Sequence, residues 1–250
     1  MTTEPDELVL LLPPSEGKAA GGLRGPQATR FARRLAPERR RVRAAIGATL
    51  GARSPSELAK VVGVRGELLD RALAAMSSLA TGRPPVLPAW QRYTGVVWEH
   101  LAPEDLTDAE LSRILVPSGV YGVTTADDLI ADYRLKMTAR IDGIGQLGAF
   151  WRSSVTRAIA RFGSGIIVDL LPGEHRAAID VEELGRHRDV ISVHFKAADG
   201  VGAAGHAAKA VKGRIAFVLL RQGLAGLDGL ALDGWLVRPC ADGYEVVALA

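Results

Sequence analysis

The sequence of 250 residues has a single cysteine, Cys240, and this excludes a framework of intramolecular disulfides. Aromatic residues make up 5% of the chain, too few to favour a platform that stacks single-stranded bases. The longest uncharged stretch, between Arg113 and Asp127, is too short for a membrane helix. The N-terminal segment is acidic where a secretory signal would be basic. We therefore expect a cytoplasmic protein with no membrane partner.

Metal ligands are also sparse in this sequence. The five histidines are scattered, and no two of them have the spacing of a metal-binding pair. A cysteine nucleophile would depend on Cys240 alone. The sequence therefore predicts no metal site and no cofactor.

Lysine is rare, whereas arginine is abundant. The apolar fraction of 48% is ordinary for a globular protein, and the net charge is only +3. Nine arginines and one acid, Glu38, lie within residues 21–53. Such a block can attract phosphates, but a solvated helix face is the favoured interpretation. Five of the six lysines fall in segments that carry other motifs: Lys18, Lys136, Lys196, Lys209 and Lys212. Because lysine is a compact charge with a tunable pKa, this choice over arginine points to a functional site.

Short apolar runs alternate irregularly with helical patterns along the chain. The apolar runs predict strands at 8–12, 114–117, 120–123, 166–171, 190–195 and within 235–249. The helical patterns cover 37–51, 55–62, 66–80, 146–162 and 203–222. We predict an α/β fold in which helices surround a mixed sheet, as a single domain over 1–250 with a helical insertion at about 37–80.

The first predicted strand leads into a glycine-containing turn, Pro14-Ser15-Glu16-Gly17-Lys18. Such a turn is typical of a phosphate or carboxylate cradle, although a purely structural turn is equally consistent with it. The turn lacks the first glycine of a Walker A loop. It spells Ser-x-x-Lys, but the Ser-Asp-Asn and Lys-Thr-Gly elements of penicillin-recognising enzymes are absent. Ser15, Glu16 and Lys18 are candidate site residues.

Two glycine-rich segments are candidate backbone cradles for an anion. Gly143 and Gly145 belong to a Gly-x-Gly-x-x-Gly pattern, but the charged residues before it disfavour the buried strand of a dinucleotide-binding fold. The same glycines, or Gly63 and Gly66 between two short helices, fit the hairpin of a helix-hairpin-helix module that contacts DNA phosphate. A tight turn between packed helices explains both segments as well.

Two further segments concentrate polar side chains. Tyr121, Asp128, Tyr133, Arg134 and Lys136 follow predicted strands and form a credible polar site, although Tyr121 is equally consistent with a core aromatic. On the predicted C-terminal helix, two lysines three residues apart are surface neighbours. Arg214 follows Lys212 by two residues and therefore lies about 200° away around the helix axis, unless Gly213 bends the helix. These residues are Lys209, Lys212, Gly213 and Arg214.

Taken in order, these segments resemble the YaaA-like peroxide stress proteins over nearly the whole chain. The residues that carry the resemblance are 14–18, 118–123, Asp128, 133–137, Phe150-Trp151, Lys209 and 212–214. The chain departs from the family pattern at Thr125-Ala126, at Lys136, where many members have Glu, and at His175, which replaces a Tyr. The resemblance implies an α/β domain with a helix-hairpin-helix element and a positively charged cleft. It also implies double-stranded DNA binding and a cytosolic role in limiting iron-driven oxidative damage, with no defined reaction.

Two functional hypotheses follow. The first is a cytosolic peroxide stress protein that binds double-stranded DNA without base specificity, through phosphate contacts from Lys18, Tyr133, Arg134, Lys136, Lys209, Lys212 and Arg214. The alternative is an enzyme acting on a small anionic or nucleotide substrate, with candidate catalytic residues Ser15, Glu16, Lys18, Tyr121, Asp128 and Arg134. We favour the binding protein over the enzyme.

Overall fold

A mixed sheet of eight strands lies at the centre of the protein, whose computed structural model describes residues 8–82, 84–197 and 205–249. In chain order the strands are β1 (Leu8–Leu11), β2 (Leu23–Arg24), β3 (Pro85–Pro88), β4 (Ile114–Ser118), β5 (Gly122–Thr125), β6 (Leu129–Ala131), β7 (Arg140–Ile141), β8 (Gly145–Gln146), β9 (Ile166–Asp169), β10 (Val190–Lys196), β11 (Ala231–Leu232), β12 (Trp235–Cys240) and β13 (Gly243–Ala248). The order in the central sheet is β11-β12-β13-β10-β9-β1-β4-β5. The predicted α/β fold with a mixed sheet is therefore confirmed.

Helices cover this sheet. In chain order they are α1 (Ala36–Ala52), α2 (Pro55–Val62), α3 (Glu67–Thr81), α4 (Ala89–Arg92), α5 (Val96–Leu101), α6 (Asp108–Leu111), α7 (Leu147–Ala160), α8 (Gly173–Arg176), α9 (Val181–Gly185) and α10 (His206–Gln222). The first two residues of the predicted 203–222 helix lie outside the described part of the chain. None of the described helices has the length and apolar character needed to cross a membrane.

The middle of the sheet is parallel. Strand β1 pairs in parallel with β4 on one side and with β9 on the other, and β10 continues the parallel set next to β9. All four side chains of β1 are buried, as expected for a parallel strand covered on both faces. The chain passes from β1 to β4 and later crosses back to β9, so the loops after these strands meet at one edge. Parallel α/β sheets bind ligands at such a switch point.

The predicted helical segment at 37–80 consists of three helices. Helix α2 begins at a capping box in which Ser54 Oγ and the Ser54 backbone N–H both donate to Glu57. It ends at Gly63, whose φ of 72° is the left-handed conformation that favours glycine. Val42 and Met76 from this segment belong to the same apolar core as β1, so the segment shares one core with the sheet.

The two glycine candidates have different structural contexts. Gly63 and Gly66 bound the turn between α2 and α3, as the sequence predicts. Gly143 and Gly145 instead lie in a two-stranded hairpin formed by β7 and β8. The expectation that this second pair joins two helices is therefore wrong, because the short antiparallel strands pair before α7 begins.

Candidate functional site

A cleft opens at the edge of the sheet where β1, β4 and β9 end. The turn after β1, residues 14–18, stands between two adjoining pockets that share Ser15 and Glu16. The first, the Lys18 pocket, is also lined by Gly63, Gly119 and residues 133–137. The second, the Lys212 pocket, is also lined by residues 95–98, Phe195, Lys209 and Lys212.

Lys18 is a buried cation at the base of its pocket. Its backbone forms an antiparallel bridge with Tyr93, and its ammonium group lies 4.3 Å from the ring centroid of Tyr133. The Nζ atom donates one hydrogen bond of 2.6 Å to the Ser15 carbonyl. Burial, reinforced by the nearby charge of Arg134, lowers the pKa of Lys18 from 10.5 to about 7. The side chain therefore changes its charge near neutral pH.

A chain of hydroxyl groups lies behind Lys18. Tyr93 and Tyr133 share a hydrogen bond of 2.9 Å, and Ser118 Oγ donates to the Tyr133 hydroxyl at 2.9 Å. Ser118 Oγ also accepts the backbone N–H of Val120, which ties the hydroxyl chain to the turn after β4. Burial raises the pKa of both tyrosines, so these hydroxyls stay protonated and orient the wall of the pocket.

The mouth of the Lys18 pocket is charged. Glu16 and Lys136 form an ion pair of 2.6 Å, and 71% of the Glu16 side chain is exposed. Lys136 lowers the pKa of Glu16 through this contact. Arg134 lines the same pocket, and within the described residues it forms no hydrogen bond or ion pair.

Lys212 is the second inward-facing cation of the cleft, and its side chain is partly buried. Its Nζ donates to the Leu170 carbonyl and lies 4.4 Å from the ring centroid of Phe195. Burial lowers the pKa of Lys212 to about 8, against the opposing charge of Asp169. The Asp169 carboxylate pairs with Arg176 at 2.8 Å, and Lys212 forms no direct ion pair with it.

His175 lies where the two pockets meet and lines both of them. Its Nε2 is 3.4 Å from a Glu174 oxygen, and its Nδ1 is shielded from solvent without a hydrogen-bond partner in the described chain. Burial lowers the pKa of His175, and the charges of Lys18 and Lys212 lower it further. The imidazole is therefore neutral at neutral pH.

Sequence reasoning placed three residues in the site that the structure places elsewhere. Tyr121 is a core residue whose hydroxyl accepts the Ala131 backbone N–H at 2.9 Å. Asp128 is a buried turn anchor that accepts the backbone N–H of Arg30 at 2.7 Å. Arg214 forms an ion pair with Asp233 away from the cleft.

The geometry of α10 explains the position of Arg214. The helix is continuous from His206 to Gln222, so Gly213 does not bend it towards the cleft. Glycine is required at 213 for close packing instead, because a Cβ atom there would lie 2.3 Å from the Val97 carbonyl oxygen of α5. Lys209 and Lys212 therefore line the cleft while Arg214 points elsewhere.

The other candidates do meet in the cleft. Ser15, Glu16, Lys18, Tyr133, Arg134, Lys136, Lys209 and Lys212 all line one of the two pockets. Tyr93 and Ser118 support the site, and sequence reasoning did not single out either of them as functional. The cationic groups outnumber the two carboxylates of the cleft, Glu16 and Glu174. This arrangement can hold an anion, and its two buried amines can exchange protons near neutral pH.

Comparison with known proteins gives the family. The family model described as "Peroxide stress protein YaaA" matches residues 8–238. A UPF0246 protein of Streptomyces coelicolor is 34% identical, over 97% of this chain and 93% of that protein. A UPF0246 protein of Corynebacterium efficiens is 32% identical, over 85% of this chain and 84% of that protein. The chain therefore belongs to the YaaA family of peroxide stress proteins.

Proposed function

We propose that this peroxide stress protein acts by binding a small anionic ligand in the cleft, with Lys18 and Lys212 as its two anchoring cations. One observation carries the proposal. Lys18 is buried and Lys212 is partly buried, and among the described residues each ammonium group donates a single hydrogen bond, to a backbone carbonyl. A buried charge is costly unless it is paired, so a ligand that supplies the missing negative charge is favoured here.

The chemistry of the cleft favours phosphate, sulfate or carboxylate groups. Each lysine has three donor protons and uses one of them on the protein, which leaves two for the oxygens of a ligand. The guanidinium of Arg134 has the fork geometry that binds two such oxygens at once. Neutral His175, between the two lysines, adds a polar group that can donate or accept a hydrogen bond without adding charge.

The position of the cleft supports the same proposal. It lies beyond the carboxyl ends of β1, β4 and β9, at the point where the chain reverses its direction across the sheet. Small ligands of α/β proteins bind preferentially at this place.

Double-stranded DNA is a second candidate, and the rim of the cleft favours it. Lys136 and Lys209 are exposed there, and the turn that begins at Gly63 between α2 and α3 lies beside Lys136 in the wall of the Lys18 pocket. Exposed cations of this kind contact phosphates without reading bases. Their affinity falls steeply with added salt, whereas a ligand held by buried lysines is screened much less.

Binding measurements on three variants test the proposal. We would titrate pyrophosphate, and separately a short DNA duplex, into the wild type, Lys18→Met, Lys212→Met and Arg214→Met at increasing salt. Arg214→Met is the matched control, because it removes a cation from the same helix as Lys212 but outside the cleft. We expect pyrophosphate affinity to fall at least about tenfold in each lysine variant and to stay unchanged in the control.

Each ligand has an outcome that would contradict its hypothesis. Pyrophosphate binding that is equally weak in the wild type and in both lysine variants would overturn the anion proposal. Duplex binding with a steep salt dependence that is lost in a Lys136→Ala/Lys209→Ala double variant, which keeps Lys18 and Lys212, would support the DNA candidate instead. Duplex affinity equal to that of an unrelated protein of similar charge would remove that candidate.

A further inference from the structure

A second group of chemically reactive side chains lies outside the cleft, where β10 meets the hairpin of β12 and β13. His194 lies on β10, Cys240 ends β12, and Asp242 lies in the turn before β13. His194 Nε2 is 2.8 Å from one Asp242 oxygen, and Cys240 Sγ is 3.4 Å from the other. One ligand atom from each residue lies within 4.8 Å of those of the other two.

The sheet holds this group in place. Strand β10 pairs in parallel with β13, and the Ser192 backbone N–H donates to the Asp242 carbonyl at 3.0 Å. Cys240 is paired with Gly243 across the hairpin. Gly243 has a φ of 147°, and a Cβ atom there would lie 2.3 Å from the Ser192 carbonyl oxygen, so glycine allows the close approach of turn and strand. All three ligands therefore project from paired strands or from the turn between them.

We propose that His194, Cys240 and Asp242 bind a divalent metal ion of the zinc class. An imidazole nitrogen, a thiolate sulfur and a carboxylate oxygen are the three donor types that Zn²⁺ accepts in proteins. Three protein ligands leave a fourth tetrahedral position for water or another molecule. The thiolate disfavours Mg²⁺ and Ca²⁺, which require oxygen ligands.

Accessibility supports the assignment. The side chains of His194 and Asp242 are 35% and 63% exposed, so an ion can enter from solvent without unfolding the sheet. The hydrogen bonds that Asp242 makes to His194 and Cys240 already bring the three side chains together. The family match ends at residue 238, so Cys240 and Asp242 lie beyond the matched segment, and the site is proposed for this chain rather than for the family.

The single cysteine makes the test direct. A thiol-reactive dye reports on Cys240 alone, because the chain has no other cysteine. We would measure the rate of dye modification against added Zn²⁺, and record the sulfur-to-metal charge-transfer band with Co²⁺ as a spectroscopic probe. The variants are His194→Gln, Asp242→Asn and Cys240→Ser, with His187→Gln as the control because His187 is an exposed histidine paired with Glu183 elsewhere.

We expect one Zn²⁺ per chain to protect Cys240 in the wild type and in the His187→Gln control. We also expect His194→Gln and Asp242→Asn to weaken that protection at least about tenfold. The charge-transfer band should disappear in Cys240→Ser. Thermal unfolding of each apo variant would confirm that the fold is intact.

Three outcomes would overturn the proposal. The first is a modification rate in the wild type that Zn²⁺ does not change. The second is protection that persists unchanged in His194→Gln. The third is protection that occurs only together with dimer formation on a sizing column, which would assign the metal to a bridge between two copies.

Discussion

Sulfate binding measured across pH tests the charge state of Lys18 and Lys212. Sulfate keeps its charge of −2 over the useful range, so any change in affinity comes from the protein. The pKa of Lys18 is about 7 and that of Lys212 is about 8, and both must be protonated to hold the anion. Affinity should therefore be highest at acidic pH, because protonation of both amines is complete there.

The expected slopes follow from these two values. Just below about pH 7, while the His175 imidazole is still neutral, the affinity should be nearly constant. Between about pH 7 and pH 8 it should fall by up to about tenfold per pH unit, because Lys18 must take up a proton on binding. Above about pH 8, where Lys212 must also take up a proton, the fall should approach about 100-fold per unit.

Lys18→Met separates the contribution of Lys18 from that of Lys212. In the acidic range we expect the loss of one charge-assisted hydrogen bond, about 1.5–3 kcal/mol, to weaken sulfate binding about 10- to 150-fold. The onset of the pH dependence should then move up to the pKa of Lys212. Isothermal titration calorimetry in buffers of different ionisation enthalpy measures both the affinity and the proton uptake. An affinity that does not change with pH in the wild type, or a pH profile identical in Lys18→Met, would refute this reasoning.

Three further predictions concern stability, and urea unfolding checks each of them. The pKa of Lys18 is lower in the folded chain than in the unfolded chain, so the unfolded state binds more protons between about pH 7 and pH 10.5 and stability should rise with pH in that window. Lys18→Met should flatten this rise, and at pH 6 it should raise the free energy of unfolding by up to about 5 kcal/mol, reduced by any packing that the substitution loses. An equal rise with pH in the variant would contradict the assignment. Gly213→Ala should lower the free energy of unfolding by about 1–3 kcal/mol, because its Cβ would meet the Val97 carbonyl. Gly47→Ala is the control, since it lies in a helix with ordinary space around it and should raise the free energy of unfolding by about 0.5–1 kcal/mol. Tyr133→Phe should cost about 1–3 kcal/mol because it breaks the buried hydroxyl chain, and a neutral result would show that the chain does not stabilise the fold.

The sequence predicts the longer strands of the central sheet and several helix boundaries well because local patterns determine them, whereas the short strands β2, β3, β6, β7, β8 and β11 are not predicted. The uniformly apolar run at 8–12 becomes the central strand, and the Ser54–Glu57 pattern caps α2. The clustering of lysines and the family resemblance group Lys18 with Lys209 and Lys212, and these three residues do line adjoining pockets of one cleft. For most of the predicted elements, the observed ends differ from the predicted ends by one or two residues.

The roles of residues that depend on tertiary packing could not be predicted from the sequence. Tyr121 and Asp128 lie next to functional residues in the sequence but point into the core, where their polar atoms satisfy backbone groups. The group of His194, Cys240 and Asp242 depends on the register between β10 and β13, and two of its members are 48 residues apart. A scan for short metal-ligand spacings cannot detect such a group.

Buried lysines and buried arginines play different roles in this arginine-rich chain. Arg39 donates to the carbonyls of Tyr121 and Val123, and Arg92 donates to four backbone carbonyls, so these guanidinium groups are occupied in holding loops together. Lys18 and Lys212 each use one donor on the backbone and keep the rest for the cleft. Arginine in their place would remain charged at every relevant pH, whereas an amine with a pKa near neutrality can lose its proton in the empty cleft and recover it when an anion binds. The empty site therefore avoids part of the cost of a buried charge, and ligand binding is coupled to proton uptake.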